Sequence, residues 1–475
     1  MILVVCILLL QPWAAALNGR GSSAGTQPSP AKPAASPARI YLTDRADEDW
    51  SFLKDRAYRS DFWDPIKYIA LGRENWYLTL GGEVRMRPEG FRIRGDETTP
   101  ATRDNYLLQR YLFSADLHMG KRFRFFSELQ SGLISGKLRS PRPTDKNLAE
   151  IHQGFVEFRT PLGERRNLMV RVGRQELAIG SSRLISAAQG LNVKRSFDGA
   201  TVHYGSQDWR VELGAAKLVK LRPGAFDDPP DHEQSFWGVA FFRRGVPFKT
   251  ASLSACYLGL DRRVSVYQQG IGPERRHTIG GKMSGGRGNF DFNYDAIFQW
   301  GRFRGGDASA WAVSTESGYR FPKRRFRPRL SLRFNTATGD KDRTDNRLES
   351  FNPLFPGTSY SGTVGLLGPT NMTDVTPALQ LFLRRSLLVA VECPSYFRSS
   401  RGDGVYGIDL RLLIPATAGT ARYVGTNPGV SVGWLVTRHI SVGGAITRFL
   451  SGPFLERTFV ANGFGFYSAS VSYRF

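Results

Sequence analysis

Arginine is the residue type in this sequence that indicates a particular chemistry most clearly. The chain has 475 residues, with 65 lysines and arginines against 42 acids and a net charge of +23. A guanidinium ion donates two parallel hydrogen bonds to one carboxylate, which an ammonium ion cannot match. Several arginines around one water-filled space would therefore bind carboxylate-bearing solutes in preference to neutral sugars. The arginines that we expect around such a space are Arg85, Arg110, Arg122, Arg124, Arg171, Arg320, Arg333 and Arg384.

Acidic residues that we expect around the same water-filled space give these arginines a second interpretation. The acids that we expect to share the space are Glu83, Asp116 and Glu128. Ion pairs between the two sets would fill and stiffen the protein without binding any solute. For a single arginine both roles stay open, and only the collective surplus of positive charge favours solute binding.

The sequence gives no support to catalysis, a metal site or a cofactor. The three cysteines, at positions 6, 256 and 393, fit neither a disulfide framework nor a CxxC site. The six histidines are scattered, so no Ser/His/Asp constellation can be chosen. TGDKDRTDN (338–346) lacks the glycine and terminal glutamate of an EF-hand loop, and GGKMSGGRG (280–288) precedes no predicted helix. We therefore predict a protein that is not an enzyme.

The elements that must position the arginines are strands with two different faces. In 76–87, apolar Leu78 and Leu80 alternate with polar Thr79, and in 467–475 serines alternate with apolar residues. Such alternation is typical of a strand with one apolar and one polar side. After residue 17 no apolar run approaches the roughly 18 residues that a spanning helix needs. The pattern excludes a helical membrane protein.

Eighteen such segments follow one another from Trp76 to Phe475. Nine long connections, among them 259–274 and 302–307, are predicted to alternate with eight short ones. This alternation is typical of an outer-membrane barrel whose two ends face the periplasm. We predict an all-β fold, a transmembrane antiparallel β-barrel of about 18 strands with short periplasmic turns and long extracellular loops. The arginines would then line its lumen.

Aromatic residues favour the same fold. Five tryptophans lie near predicted strand ends, at positions whose alternation places them on the outward face: Trp76, Trp209, Trp237, Trp300 and Trp311. Membrane barrels carry girdles of aromatic residues at these places. The alternative is that they are core tryptophans of a soluble β protein. The chain ends in Tyr-Arg-Phe, and a terminal aromatic residue after an alternating strand resembles the assembly signal of bacterial outer-membrane proteins.

The amino-terminal region predicts export from the cytoplasm. Residues 1–17 have an apolar core followed by three alanines, which indicates a signal peptide, although no lysine or arginine precedes the core. A retained membrane anchor is the alternative. Residues 18–38 are rich in Pro, Ala and Ser and are predicted to be a disordered linker. Residues 39–75 form a periplasmic lead-in or cap, and 76–475 form the barrel.

Three segments carry a family resemblance: DNYLLQRYLFSADLHMGKRFRFFSELQSG (104–132), RVGRQELAIGSSRLISAAQGLNVKRSFDGA (171–200) and FNPLFPGTSYSGTVGLLGPTN (351–371). They resemble the alginate export family of Gram-negative outer-membrane porins over about 49–475. The resemblance implies eighteen strands and an electropositive constriction that lets an anionic polyuronate leave the periplasm. Apart from Arg171, the motif residues lie at or beyond a predicted strand end, where they would hold an extracellular loop folded. They are Arg174, Glu176, Arg183, Arg195 and Asp198.

The first functional hypothesis is an anion-selective channel in the outer membrane of a Gram-negative bacterium that exports an alginate-like polysaccharide. A general or nutrient porin for small carboxylates would share every feature above. An outer-membrane barrel enzyme would need a lipid-facing Ser/His pair, and a secreted nucleic-acid binder is motivated only by the pI near 10.2. The expected partners are anionic polysaccharide or small organic anions, outer-membrane lipid and lipopolysaccharide, the barrel assembly machinery and periplasmic export proteins. Nucleic acid is not among them.

Overall fold

Eighteen antiparallel strands form the wall of a closed barrel. In the computed structural model the described residues are 41–93, 102–138, 140–178, 183–357, 365, 367–458 and 460–475, so the predicted signal peptide and the predicted linker lie outside them. The strands are β1 Trp76–Ile93, β2 Thr102–Met119, β3 Phe123–Ser135, β4 Asn147–Pro161, β5 Asn167–Gln175, β6 Phe197–Gly205, β7 Trp209–Leu218, β8 Gln234–Arg244, β9 Ser252–Tyr267, β10 Gly270–Arg287, β11 Phe290–Phe303, β12 Gly306–Arg320, β13 Arg329–Ala337, β14 Met372–Arg384, β15 Leu387–Glu392 continued by Ser395–Arg398, β16 Tyr423–Thr426 continued by Gly429–Leu435, β17 Ile440–Ser451 and β18 Phe464–Arg474.

The barrel closes because β1 pairs with both β2 and β18. Glu83 lies opposite Arg474 on β18 and opposite Leu112 on β2. A sheet closed in this way leaves no unpaired edge in contact with lipid, which is the condition for crossing a membrane with strands. The predicted fold class is confirmed.

The two faces of each strand differ as the alternation predicts. On β18, Ser468, Ser470 and Ser472 are buried, whereas the side chains of Tyr467 and Val471 are 47% and 51% exposed. Polar residues therefore face the barrel interior and apolar residues face lipid. This arrangement is opposite to that of a soluble protein, because the solvent outside the wall is hydrocarbon.

The prediction of a long loop is wrong at two of the extracellular connections. The predicted loops 259–274 and 302–307 are replaced by two-residue turns at 268–269 and 304–305, so β9 to β12 form two long hairpins. Charged residues such as Asp261 and Arg262 are typical of a loop, yet both residues pair in register with β10. The other connections keep the alternation, with short periplasmic turns and long extracellular loops.

Long extracellular loops fold into the barrel at its outer end. The loops 176–196 and 338–371 meet through a parallel bridge between Ile185 and Phe355. Their apolar side chains pack against inward residues of the wall, including Phe197 and Phe236. The loop 399–422, with its hairpin Val405–Tyr406 and Leu412–Ile414, packs beside them.

The segment before the barrel enters its periplasmic end, where Ala46 packs against the inward residues Phe126 and Phe155. It contains helical turns at Arg45–Asp47, Ser51–Lys54, Arg56–Tyr58 and Asp64–Lys67, then a short strand, Ile69–Ala70, that pairs with β1. Trp50 and Leu53 are buried in an aromatic cluster of this segment. We refer to residues 41–70 as the cap. The remaining elements are the strand Arg347–Leu348, which pairs with β12, and helical turns at Ala416–Ala418 and Pro453–Leu455. No helix among the described residues has the length and apolar character needed to cross a membrane.

Candidate functional site

Arginines on the inner face of β1 and β2 hold the loop 176–196 inside the barrel. Arg85 Nη2 donates to the carbonyl oxygen of Leu191 at 2.8 Å. Arg110 Nη1 donates to the carbonyls of Gln189 and Leu191 at 3.0 and 3.1 Å, and its Nη2 binds Glu83 at 2.5 Å. Charge-assisted hydrogen bonds of this kind are about twice as strong as neutral ones. These predicted lumen residues therefore face inward, and their donors already bind the loop.

A buried lysine joins the same loop to the wall. Lys194 Nζ lies 3.1 Å from Glu128 Oε1 and 2.6 Å from Glu176 Oε1, and His152 Nε2 lies 2.9 Å from Glu176. Glu128, His152 and Glu176 offer three metal-ligand atoms within 4.8 Å of one another. The ammonium of Lys194 already supplies the positive charge there, so we assign an ion-pair cluster to this position.

Predicted charges on β2 to β5 form a second inward group. Arg124 Nε binds Asp116 Oδ1 at 2.7 Å, and its Nη2 donates to the carbonyl of Ala46 in the cap at 2.7 Å. Arg171 Nη2 binds Glu157 Oε2 at 2.7 Å, and its guanidinium lies 4.2 Å from the ring centre of Phe155. Arg124 thus links the wall to the cap, and Arg171 borders the largest cavity described below.

The remaining predicted arginines differ in their surroundings. Arg320 is half-exposed and binds Asp291 at 3.0 Å. Arg333 points inward, and its Nε and Nη2 have no hydrogen-bond partner among the described residues although both atoms are buried. Arg384 is exposed at the periplasmic end of β14. Arg122 departs from the expectation of a lumen position, because it is exposed in the turn 120–122.

The cap is fixed to the barrel by polar contacts at both of its ends. Arg45 Nη2 donates to the carbonyl of Gly82 at 3.1 Å, and Gln153 Nε2 donates to Asp44 Oδ1 at 3.0 Å. Burial, together with the nearby carboxylate of Glu176, raises the pKa of Asp44 to about 6. The alternating pattern of the strands carries no information on these contacts, so sequence reasoning missed them.

The other end of the cap contacts the last strand and the chain terminus. Asp61 Oδ2 accepts from His439 Nε2 at 2.9 Å and binds Arg438 at 3.3 Å. Trp63 Nε1 donates to the hydroxyl of Tyr473 at 2.7 Å, and its ring lies 4.6 Å from that of Phe475. The terminal aromatic residue is thus part of the cap contact.

A cavity of about 910 Å³ lies between the cap, the loop 176–196 and the inner face of β4 to β7. It contains charges of both signs. The basic lining residues are Lys121, Arg159, Arg171 and Arg210, and the acidic ones are Asp44, Asp47, Glu176 and Glu212. A second cavity, of about 270 Å³, is lined by Arg210, Arg243, Arg244 and Lys282 near the same end of the barrel. Both cavities begin at the short-turn end, where residues of the periplasmic turns line them.

The periplasmic turns themselves are strongly basic. The eight short connections contain eleven lysines and arginines and two acids, Glu164 and Asp208. We refer to the eleven as the cationic rim: Lys121, Arg122, Arg165, Arg166, Lys249, Lys323, Arg324, Arg325, Arg327, Arg385 and Arg438. The nine extracellular connections contain eighteen basic residues against fifteen acids, spread over much longer segments. The positive surplus of the connections is thus concentrated at one end.

The motif residues in and beside the loop 176–196 hold that loop folded. Arg174 binds Asp198 at 2.8 Å, and Arg183 binds Asp295 at 3.2 Å. Arg195 Nη1 donates to the carbonyls of Ser186 and Pro356, each at 3.2 Å. These contacts join the loop to the wall and to the loop 338–371. The sequence predicted this role for an extracellular loop but left open whether the loop enters the barrel.

Comparison with solved structures shows the porin fold. OccK11 (OpdR) of Pseudomonas aeruginosa has a TM-score of 0.52 and 12% identity, and the match covers 86% of this chain and 99% of that one. OpdQ of Pseudomonas aeruginosa has a TM-score of 0.55 and 11% identity, with 84% and 97% covered. A BenF-like porin from Pseudomonas fluorescens Pf-5 has a TM-score of 0.54 and 12% identity, with 83% and 98% covered.

The family is shown at the sequence level. A search of curated proteins gives no match. The family model described as alginate export matches residues 76–462, which is most of the chain and nearly all of the barrel. Together with the closed wall of eighteen strands, this match places the protein in the outer membrane of a Gram-negative bacterium as a porin-like channel. The chain belongs to the alginate export family.

Proposed function

We propose that this channel is anion-selective and exports an acidic polysaccharide of the alginate type from the periplasm. The observation that carries the proposal is the cationic rim, which surrounds the end of the barrel where an exported polymer must enter. Such a concentration of one charge sign raises the local concentration of opposite charges and speeds their association. Passage through the wall involves no bond making, so the proposal assigns no catalytic residue.

The free energy of a single ion pair at the rim is small, so we expect the rim residues to act together. One ion pair at contact distance is worth roughly 1 kcal/mol in water and about 4 kcal/mol where the effective dielectric constant is near 20. Exposed rim residues such as Lys323 and Arg325 belong to the first case. A polyuronate carries a carboxylate on every sugar, so many weak contacts act on one chain at once, whereas a small anion makes only one or two.

The lumen arginines support the proposal in a more limited way. Arg85, Arg110 and Arg124 donate to loop or cap carbonyls, and Arg171 is paired with Glu157. These groups become available to a solute only when the loop 176–196 or the cap shifts. Arg333 differs because two of its nitrogens lack hydrogen-bond partners among the described residues. Both nitrogens are buried, so a solute reaches them only after the surrounding groups shift, but it would then displace no hydrogen bond that they make to a described residue. We propose Arg333 as a lumen arginine that binds an anion at that stage.

A porin for small carboxylates is the second candidate. The observation in its favour is the space that the folded loops leave, with cavities of about 910 and 270 Å³ at the periplasmic end. Spaces of this size match small solutes better than a polymer. Under this candidate the loops would stay in place during transport, whereas export of a polymer requires them to move.

The test is a planar-bilayer measurement with the refolded full chain. Reversal potential under a salt gradient reports the sign of the preferred ion. An oligouronate of about six sugars is then added to one side at a time, and separately acetate. We expect anion-selective current that the oligouronate blocks more strongly from the periplasmic side. Block of equal strength from both sides, or cation-selective current, would contradict the proposal.

Two matched variants remove the same number of positive charges, one from the periplasmic end and one from the extracellular end. Replacing Lys323, Arg324 and Arg325 by serine removes three charges from the rim, and replacing Lys341, Arg343 and Arg347 removes three from an extracellular loop. The rim variant should weaken the periplasmic block by about tenfold, while the loop variant should leave it within twofold. Unchanged block in the rim variant, with acetate passing freely, would favour the small-carboxylate porin.

A further inference from the structure

A row of arginines crosses the lipid-facing side of the barrel at its extracellular end. Arg448 on β17 lies opposite Gly465 on β18, Gly465 lies opposite Arg92 on β1, and Arg92 lies opposite Arg103 on β2. All three arginines are exposed and have the outward parity of their strands. Neighbouring strands are about 4.8 Å apart, so the three guanidinium groups lie within reach of one ligand.

These arginines lack the partners that outward arginines have on the other side of the barrel. There, Asp261, Arg275, Arg302 and Asp307 are in register across β9 to β12. Arg275 Nη2 binds Asp261 Oδ2 at 2.7 Å. In contrast, no described carboxylate binds Arg92, Arg103 or Arg448.

An apolar groove of about 640 Å³ lies directly below the row, toward the middle of the membrane. Its floor includes Gly429 and Gly465, and its sides include Ile446 and Tyr467. The side chain of Ile446 is 64% exposed. The ring of Tyr467 crosses Gly90, and its hydroxyl donates to Asn105 Oδ1 at 3.0 Å, which fixes the ring at the edge of the groove. The groove therefore has a rigid wall and an open, apolar interior.

The charges and the groove together define the chemistry of the ligand. Like charges directly opposite each other on neighbouring strands repel, so the row is stabilised by a bound anion. A phosphate group is suited to this position because it accepts paired hydrogen bonds from guanidinium groups. A groove that faces hydrocarbon is suited to an acyl chain. Both features are present in one molecule only if that molecule is an anionic lipid.

We propose that Arg92, Arg103, Arg448 and the groove beneath them, here called the arginine groove, bind a phosphorylated glycolipid of the outer leaflet. Its phosphates lie on the arginines, and one acyl chain lies along Ile446 and Val430. The occupant is the lipid A part of lipopolysaccharide, because the row is at the extracellular end and spans more than one phosphate. This site lies outside the lumen and is independent of the transported solute.

The test measures lipid binding by native mass spectrometry on the full chain in detergent. The ligands are diphosphorylated lipid A, phosphatidylglycerol and inorganic phosphate. We expect one lipid A to stay bound, with at least tenfold lower affinity for the double variant R92Q/R448Q. The control variant R275Q/R302Q also removes two outward arginines and should change lipid A affinity by less than twofold. Resistance of the barrel to unfolding in unheated SDS gels confirms that each variant is folded.

A second variant tests the groove without changing charge. A Cβ built at Gly465 meets no atom within 4 Å, so Gly465→Leu fits the fold and fills the opening between Arg448 and Arg92. It should reduce lipid A affinity at least fivefold. Unchanged affinity in both R92Q/R448Q and G465L would overturn the proposal. Equal losses in R92Q/R448Q and in the control, or binding of phosphatidylglycerol or phosphate as tight as that of lipid A, would also overturn it.

Discussion

The two ends of the barrel are closed in different ways. At the extracellular end, the loops 176–196 and 338–371 enter the barrel and are held by buried ion pairs and apolar packing. At the periplasmic end, the cap lies under a rim of basic residues. Its ion pairs with the barrel, from Asp61 to Arg438 and His439, are partly exposed, and hydrogen bonds and several aromatic contacts act beside them. Buried contacts cost more to break than exposed ones. The difference indicates that the loops are the firmer barrier and the cap the weaker one.

The largest effect is expected from breaking the loop barrier at Lys194. Lys194→Met would leave Glu128 and Glu176 buried without their cation, which costs roughly 3–5 kcal/mol for a broken buried pair. We expect the loop 176–196 to detach, with faster proteolysis of the loop and higher single-channel conductance. Arg263→Met is the control, because Arg263 and Glu233 form an exposed pair worth 0 to about 1 kcal/mol. Equal proteolysis of the two variants would contradict the firm attachment of the loop.

A smaller effect is expected at the contact between the cap and the chain terminus. Trp63→Ala removes the hydrogen bond to Tyr473 and the ring contact with Phe475, about 1–2 kcal/mol in total. The cap should then release more often, which single-channel recording would show as more frequent opening events. Phe62→Ala is the matched control. The side chain of Phe62 is 84% exposed and its ring contacts that of Trp63 at 5.0 Å, so the variant removes an aromatic side chain of the cap but leaves the contacts of Trp63 with Tyr473 and Phe475 in place. If both variants open alike, the aromatic contact does not hold the cap.

Acidic pH should strengthen the attachment of the cap. The pKa of Asp44 is raised to about 6 in the attached cap, so the attached form binds a proton more tightly than the released form does. This stabilisation is complete below about pH 4 and is lost as the pH rises through about 6. Burial acts to raise the pKa of Asp61, but hydrogen bonds from Trp63 and His439 lower it, so its contribution is lost only in stronger acid.

We therefore expect a few-fold fewer openings at pH 5 than at pH 7.5. Burial also raises the pKa of Asp47 to about 6, so the variant that tests the response is Asp44→Asn/Asp47→Asn. It mimics both protonated side chains and should remove most of this pH dependence while keeping the hydrogen-bonding capacity toward Gln153. Recordings of both proteins across this pH range make the measurement. An unchanged pH profile in the variant would show that other groups control the response.

The smallest effect per residue is expected at the cationic rim. Single exposed charges contribute at most about 1 kcal/mol, and salt screens them over about 10 Å at 0.1 M and about 3 Å at 1 M. Block by an oligouronate from the periplasmic side should therefore weaken strongly between these two salt concentrations. Block from the extracellular side should change less, because basic and acidic residues are nearly balanced there. If the block depended equally on salt from both sides, the two ends of the barrel would not differ in their electrostatic attraction for the oligouronate.

The outcome for individual residues shows how far the sequence could predict the site. Parity correctly predicted inward positions for Arg85, Arg110 and Arg171, because a strand places alternate side chains on opposite faces. It failed for Arg122, which lies in a turn where no alternation holds. It also carried no information on Lys194, since the residue belongs to a loop and its partners, Glu128 and Glu176, lie 66 and 18 positions away.

Local sequence patterns were enough to predict the wall of this protein: eighteen strands, their lipid-facing and inward sides, and the basic turns at one end. These features are local, because alternation and turn composition act over a few residues. Three features became visible only in the folded chain: the long loops fold inward, the cap contacts Arg124 and Phe475, and the outward arginines Arg92, Arg103 and Arg448 form one row. Each of these depends on register and on contacts between residues far apart in the chain, which no local pattern encodes.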